Sequence, residues 1–255
     1  MILIFSDLHL GSGNGAKRDS VEERGSMLRK QVEIAREIRA VADGHRVAHI
    51  FFLGDMIDCL MGHMTEQVYQ GAWKVARLLA ERSQLWMVLG NHDVWGDLVE
   101  QARLRSIPNT RIINRTTSER IEGIQVDFVP WNQELPARKG EMLAGHLSVY
   151  GSYVGPSSAF RCKAGIGEHD LLYPRQLEGY DRVFLGHNHF PQELRIQGAK
   201  EARYVGAVMP PRSESEHKQG FAYLLKDGET FKVDISEPGT FLGGVTGHVR
   251  KGRIS

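Results

Sequence analysis

Five short apolar runs in this chain end in Ser or Gly, and each hands over at once to a carboxylate, a carboxamide or an imidazole. Ile2 to Phe5 with Ser6 precedes Asp7 and His9. Ile-Phe-Phe-Leu-Gly54 precedes Asp55 and Asp58, and Trp-Met-Val-Leu-Gly90 precedes Asn91, His92 and Asp93. Met-Leu-Ala-Gly145 precedes His146, and Val-Phe-Leu-Gly186 precedes His187 and His189. Apolar runs this short, bounded by turn residues, read as buried strands. In open α/β sheets ligands bind in the crevice beyond the strands' carboxyl ends. Five strands that finish this way predict one convergent site.

The rest of the chain supplies helices early and strands late. The Ser20-Val-Glu-Glu23 stretch fits a capping box, and a helix is predicted to follow to about Ala42. A second helix is predicted over Thr65 to Arg82, and a short one over Asp97 to Arg105. Strands are predicted at Val47 to Leu53, Leu85 to Leu89, Arg111 to Ile113, Ser118 to Glu122, Ile124 to Val129, Glu141 to Gly145 and Val183 to Leu185, with Gly123 at a hairpin turn. Short β-like stretches continue to about Asp234. This order predicts an α/β fold of two packed sheets, a β-sandwich, with helices outside. No repeat or linker divides it. One domain is expected over 1–237, followed by a Gly-rich basic tail over 238–255.

Composition removes several classes. A net charge of +1 and a pI near 7.9 give no basic surface overall, whereas nucleic-acid-binding domains often exceed a pI of about 9; any phosphate-binding surface must be local. The two cysteines, Cys59 and Cys162, fit neither zinc spacing nor a disulfide scaffold. The apolar N-terminal run is interrupted at Asp7 and lacks a basic leader, so it reads as neither signal peptide nor membrane span. The expected location is the cytoplasm.

Carboxylate, amide and imidazole donors without thiolate suit manganese, iron, zinc or magnesium. Two cations about 3.5–4 Å apart need a bridging oxygen, and Asp55 is the natural bridge. Taken singly, each motif has a bland reading: Asp-Met-Ile-Asp58 and Asn-His-Asp93 as turns, His146 as a packed core histidine. Their joint occurrence, each after an apolar run, favours the site.

This order of motifs resembles the calcineurin-like metallophosphoesterase superfamily over about residues 1–190. The resemblance implies two divalent metal ions, with manganese in first place and iron, zinc or magnesium as alternatives. Asp7, His9, Asp55 and His189 would hold one ion, and Asp55, Asn91, His146 and His187 the other. His92 would be the general acid, with Asp93 orienting it. The protein serine/threonine phosphatases of that superfamily differ: here Cys59 follows Asp58, and Asp93 stands where they carry Glu.

Finer features resemble the SbcD-like and phage recombination DNA exonuclease subunits. They are Phe128-Val-Pro-Trp131, the Gly145-to-Gly151 segment, Gly-His-Asn-His-Phe-Pro-Gln192, Arg203-Tyr-Val-Gly206 and Lys218-Gln-Gly-Phe221. That resemblance implies a DNA nuclease, with DNA as partner, an SMC-type ATPase subunit (SbcC-like) as a further one, and a homodimer. Those nucleases usually carry a cap and ATPase-binding helices, and no matching segment is expected in the sequence given. The alternative is a phosphodiesterase or phosphatase for nucleotides or other small esters; a non-catalytic binding module is disfavoured, because no expected ligand is missing. Substrate contacts are expected from Asp58 and from the segment Ser152 to Arg175, which carries Tyr153, Arg161 and Lys163 and combines cations with aromatics; an ordinary solvated loop is the competing reading. Gly11 to Gly15 lacks the Lys-Ser/Thr ending of a P-loop and reads as a loop beside the metals.

Overall fold

The computed structural model describes residues 1–11, 21–59, 65–153, 171–208 and 220–235. Two six-stranded sheets make up its body. The chain runs β1 (Ile2–Phe5), α1 (Val21–Gly44), β2 (His49–Phe52), α2 (Glu66–Leu79), β3 (Gln84–Val88), α3 (Asn91–Trp95), α4 (Leu98–Gln101), β4 (Thr110–Ile113), β5 (Thr117–Ile121) and β6 (Ile124–Val129). It continues through β7 (Met142–His146), β8 (Ser148–Val149), β9 (Leu171–Leu172), β10 (Arg182–Gly186), β11 (Gln192–Glu193), β12 (Glu201–Tyr204), β13 (Gly220–Lys226) and β14 (Glu229–Ile235).

The first sheet has the order β14-β13-β1-β2-β3-β4, and the second β11-β12-β10-β7-β6-β5. Strands β1 to β4 are parallel, as are β6, β7, β10 and β12. Each sheet ends in antiparallel partners: β13 and β14 in the first, β5 and β11 in the second. The parallel strands therefore carry their carboxyl ends, and the polar residues that follow, to a common side.

The period of two along a strand divides the core into layers. Ile2 and Ile4 face the second sheet and join Phe51, Trp86, Val88, Phe128, Ala144 and Phe184. Leu3 and Phe5 face the other way, onto Ile34 and Ile38 of α1 and Val75 and Leu79 of α2. Between the sheets, the rings of Trp86 and Phe128 lie stacked at 5.2 Å and 4°. The outer face of the second sheet, including Leu143, Val183 and Leu185, is covered by Leu177 and Tyr180 from the turn before β10. The predicted α/β sandwich with flanking helices is thus the observed one.

Differences are local. The helix predicted over Asp97 to Arg105 is two pieces, α4 and a 3-10 turn at Leu104–Ser106. Arg103 between them has φ +50°, a left-handed conformation that ends an α-helix. The helix α3 was not anticipated; five residues give no periodicity to read. The N-cap Ser20, the loop residues 12–15 and the tail over 238–255 lie outside the described residues.

Candidate metal centre

Six of the seven predicted ligands sit one to four residues beyond a parallel strand, and His146 is the last residue of one. Asp7 and His9 follow β1, Asp55 follows β2, Asn91 opens α3 after β3, His146 closes β7, and His187 and His189 follow β10. Asp7, His9, Asp55, Asn91 and His146 are buried, whereas His187 and His189 are partly exposed.

The donor atoms converge in two groups. In the first, Nε2 of His9 and Nε2 of His189 lie 2.8 Å apart, with Oδ1 of Asp7 at 3.7 and 3.9 Å from them. In the second, Oδ1 of Asn91 is 3.1 Å from both Nε2 of His146 and Nδ1 of His187. Oδ2 of Asp55 is 3.3 Å from Nε2 of His146 and 3.8 Å from Nε2 of His9, so one carboxylate oxygen reaches both groups. Donor sets of this kind, Asp7-His9-His189 and Asp55-His146-His187, are close enough to share an ion each.

The surroundings fit cations. Nδ1 of His146 donates to the Leu53 carbonyl at 2.7 Å, which turns Nε2 to the site as the nitrogen a cation would take in place of its proton. Burial opposes ionisation of Asp55 and Asp7, and the imidazoles outweigh it. Both stay below the ordinary carboxylate value, Asp55 chiefly through His146 and Asp7 through His9. Burial would lower His146, yet the charge and hydrogen bond of Asp55 carry it up to about 9. Oxygen and imidazole donors gathered in a field that strongly favours positive charge suit hard and borderline divalent ions.

Backbone shape at these positions is unusual. Asp7, His9, Asp55 and His187 have φ of +56°, +47°, +58° and +89°, a region costly for residues other than Gly. The adjoining glycines permit close approach. A Cβ on Gly90 would lie 2.1 Å from Oδ1 of Asp55, and one on Gly54, itself at φ +95°, 2.4 Å from Nδ1 of His146. Gly54 and Gly90, two of the strand-ending glycines read in the sequence, are therefore required by contact with Asp55 and His146.

His92 stands beside the first group, its ring 4.8 Å from that of His9 and edge-on to it. Its Nδ1 faces Oδ1 of Asp58 at 3.2 Å. The Cys59 amide approaches the same nitrogen at 3.3 Å, but the charged carboxylate is the stronger partner for an Nδ1 proton. Burial would lower His92; the hydrogen bond it donates to Asp58 and the nearby carboxylates raise it overall. Asp93 does something else than the expected orienting of His92. Its carboxylate accepts N–H bonds from Asp55 (2.9 Å), Met56 (2.8 Å), Ile57 (3.3 Å) and Gly90 (3.0 Å), fastening the loop that bears Asp55 to the start of α3.

Of the expected substrate contacts, Asp58 lies at His92. Tyr153 is tied by its backbone to the Gln192 side chain, at 2.7 Å in both directions. Arg161 and Lys163 lie outside the described residues. Two supports escaped the sequence reading. Buried Gln31 of α1 donates to the His9 carbonyl at 2.5 Å and accepts from the Gly11 amide at 3.0 Å. Asn188, between His187 and His189, donates to Ser152 at 2.9 Å. A buried amide in mid-helix leaves no pattern, whereas Asn188 was visible inside its motif.

The model of the calcineurin-like phosphoesterase superfamily domain matches residues 1–227, and the chain belongs to that superfamily. Such proteins are metal-dependent hydrolases of phosphate esters that bind two divalent metals, a use the donor groups above fit. No curated protein sequence matches the chain. Similar solved structures include a novel archaeal phosphodiesterase, at 12% identity over 91% of this chain and 98% of that one, with a TM-score of 0.48. Another is TT1561 of Thermus thermophilus, at 10% identity, 92% and 98% coverage and a TM-score of 0.50. A third, AQ665 of Aquifex aeolicus, has 14% identity, 81% and 89% coverage and a TM-score of 0.38. At such identities the likeness is one of fold. Among the described residues no helix is long and apolar enough to cross a membrane.

Proposed function

We propose that the chain is a two-metal phosphodiesterase that cleaves DNA, a nuclease of the SbcD-like recombination and repair type, working with manganese in the cytoplasm. The observation that carries the phosphodiesterase reading is the shared reach of Asp55 Oδ2 into both donor groups, with His92 beside them. In this reading Asp7, His9, Asp55 and His189 hold one ion, and Asp55, Asn91, His146 and His187 the other. The segments Phe128 to Trp131, Gly145 to Gly151 and Arg203 to Gly206 favour a nuclease among the diesterases. Residues 1–237 are taken as the catalytic domain.

When bound, the ions supply neutralisation of the phosphate and a lowered pKa for the attacking water. The chain's own groups do the rest. Asp58 accepts the Nδ1 proton of His92 and its charge favours the imidazolium, whose second proton, on Nε2, passes to the departing oxygen and leaves the ring neutral. Delivery of that proton is worth roughly 10²–10⁴ in rate. Asp93 and Gln31 keep the ligand loops in place through backbone amides and carbonyls.

The test is manganese-supported digestion of labelled single- and double-stranded DNA, with His92→Ala alongside. Cleavage by the wild type, weakened by salt as phosphate contacts are screened, is the expected result. Rapid turnover of bis-p-nitrophenyl phosphate without any DNA cleavage would replace the nuclease with a small-substrate phosphodiesterase.

A further inference from the structure

One indole stands at the flank of His92 and a second meets it, and neither has a part in the reaction described above. Trp95 lies one helical turn beyond His92 in α3, with ring centroids 5.8 Å apart and a tilt of 45°. Trp131, from the end of β6, meets Trp95 at 5.2 Å and 76°. The two rings form a corner with nearly perpendicular aromatic walls. The Trp131 amide donates to the Leu89 carbonyl at 3.0 Å. Both walls are thus hung from the end of β3, the strand that also delivers His92.

We propose that this corner seats the nucleobase on the leaving side of the cleaved ester; the inference rests on the phosphodiesterase reading and names which part of the substrate the site grips. Trp95 is 53% exposed, although an indole is among the side chains that gain most from burial. The other two tryptophans are engaged: Trp86 is stacked on Phe128 and Trp73 lies under Arg77. Next to Trp95, Val94 is 47% exposed and widens the apolar surface. Position gives the occupant. If His92 protonates the departing oxygen, the group attached to that oxygen must lie against the surface beside His92. An alkyl chain or bare sugar gains little from two rings at right angles, whereas a base presents a flat face to one wall and an edge to the other. Stacking of this kind accepts any base, so the seat selects nucleosidic leaving groups without reading sequence.

The test uses two diesters, thymidylyl-thymidine and its analogue lacking the base on the leaving side, with manganese-loaded protein. The expected preference in kcat/KM for the base-bearing diester is about 5- to 150-fold, the range of one base stacked on an aromatic ring. Trp95→Ala should bring that ratio close to one, and Trp95→Phe should keep most of it. A wild-type ratio near one, or a ratio untouched by Trp95→Ala, overturns the proposal. Binding of adenosine to metal-free protein is the second readout. Quenching of tryptophan fluorescence that is lost in Trp95→Ala and kept at Trp131 in Trp95→Phe supports the seat, and absence of quenching in the wild type or its undiminished survival in Trp95→Ala overturns it. Failure to cleave either diester would count against the phosphodiesterase reading, and the quenching experiment still decides the seat.

Discussion

Asp58 Oδ1 lies 3.2 Å from Nδ1 of His92, and this pair, rather than His92 with its sequence neighbour Asp93, is the carboxylate–imidazole couple of the site. Asp58→Asn should lower kcat on DNA by on the order of 10- to 100-fold, less than the 10²–10⁴ carried by the proton donor itself. The loss should shrink with a p-nitrophenyl leaving group, which departs without protonation. Steady-state rates on both substrates check this, and an equal loss on both would remove Asp58 from proton delivery.

His92→Ala should keep its metal, since none of the seven proposed ligands is altered, and lose roughly 10²- to 10⁴-fold in turnover of unactivated esters. Metal content by elemental analysis and DNA cleavage rates are the paired measurements. Full activity in this variant would mean that another group protonates the departing oxygen.

Asp55→Asn takes away the negative charge of the one oxygen that reaches both groups of donors. Metal occupancy should fall at both positions together, read as manganese stoichiometry by titration calorimetry. A variant that still binds two ions tightly would rule out the bridging role.

The residues that converge at the site were legible in the sequence, and the reason is physical. A buried strand followed at once by a small residue and a metal donor is a local pattern, and five copies of it needed no knowledge of pairing. Relationships across the chain were hidden. The grip of Asp93 on the Asp55 loop depends on a turn whose amides all point inward, and α3 was too short to show a period. The Trp95–Trp131 corner joins residues brought together by the bond between Trp131 and Leu89, which composition and spacing do not reveal. The break at Arg103 depends on a left-handed residue of a type that gives no warning of it.

Asp93→Ala should cost stability rather than only activity. Four buried amides would lose their acceptor, and each orphaned group costs about 1–3 kcal/mol before relaxation. A drop of several degrees in Tm, measured with chelator present to exclude metal effects, is the expected outcome. An unchanged Tm would mean that water replaces the carboxylate.

A buried pair far from the ligands gives a pH dependence. Tyr180 donates to Oδ2 of Asp127 at 2.9 Å, and burial, helped by the Asp127 charge, pushes its phenol above the ordinary value. An unfolded tyrosine ionises near pH 10, while the folded one keeps its proton longer. The unfolded state therefore binds fewer protons above that pH, and stability falls as pH rises from about 10 upward. Tyr180→Phe should be less stable at neutral pH through the lost hydrogen bond, with a shallower alkaline decline. Urea midpoints between pH 8 and 11 measure both; identical slopes would mean that Tyr180 does not govern the decline.

The left-handed backbone at Asp7 and Asp55 bears on which substitutions can separate charge from shape. Asparagine tolerates that conformation better than most side chains, so exchanging carboxylate for carboxamide alters the electrostatics while leaving the turn intact. Alanine at either place would change both at once: lost affinity for cations would then be mixed with a chain that no longer favours the bend presenting its neighbours.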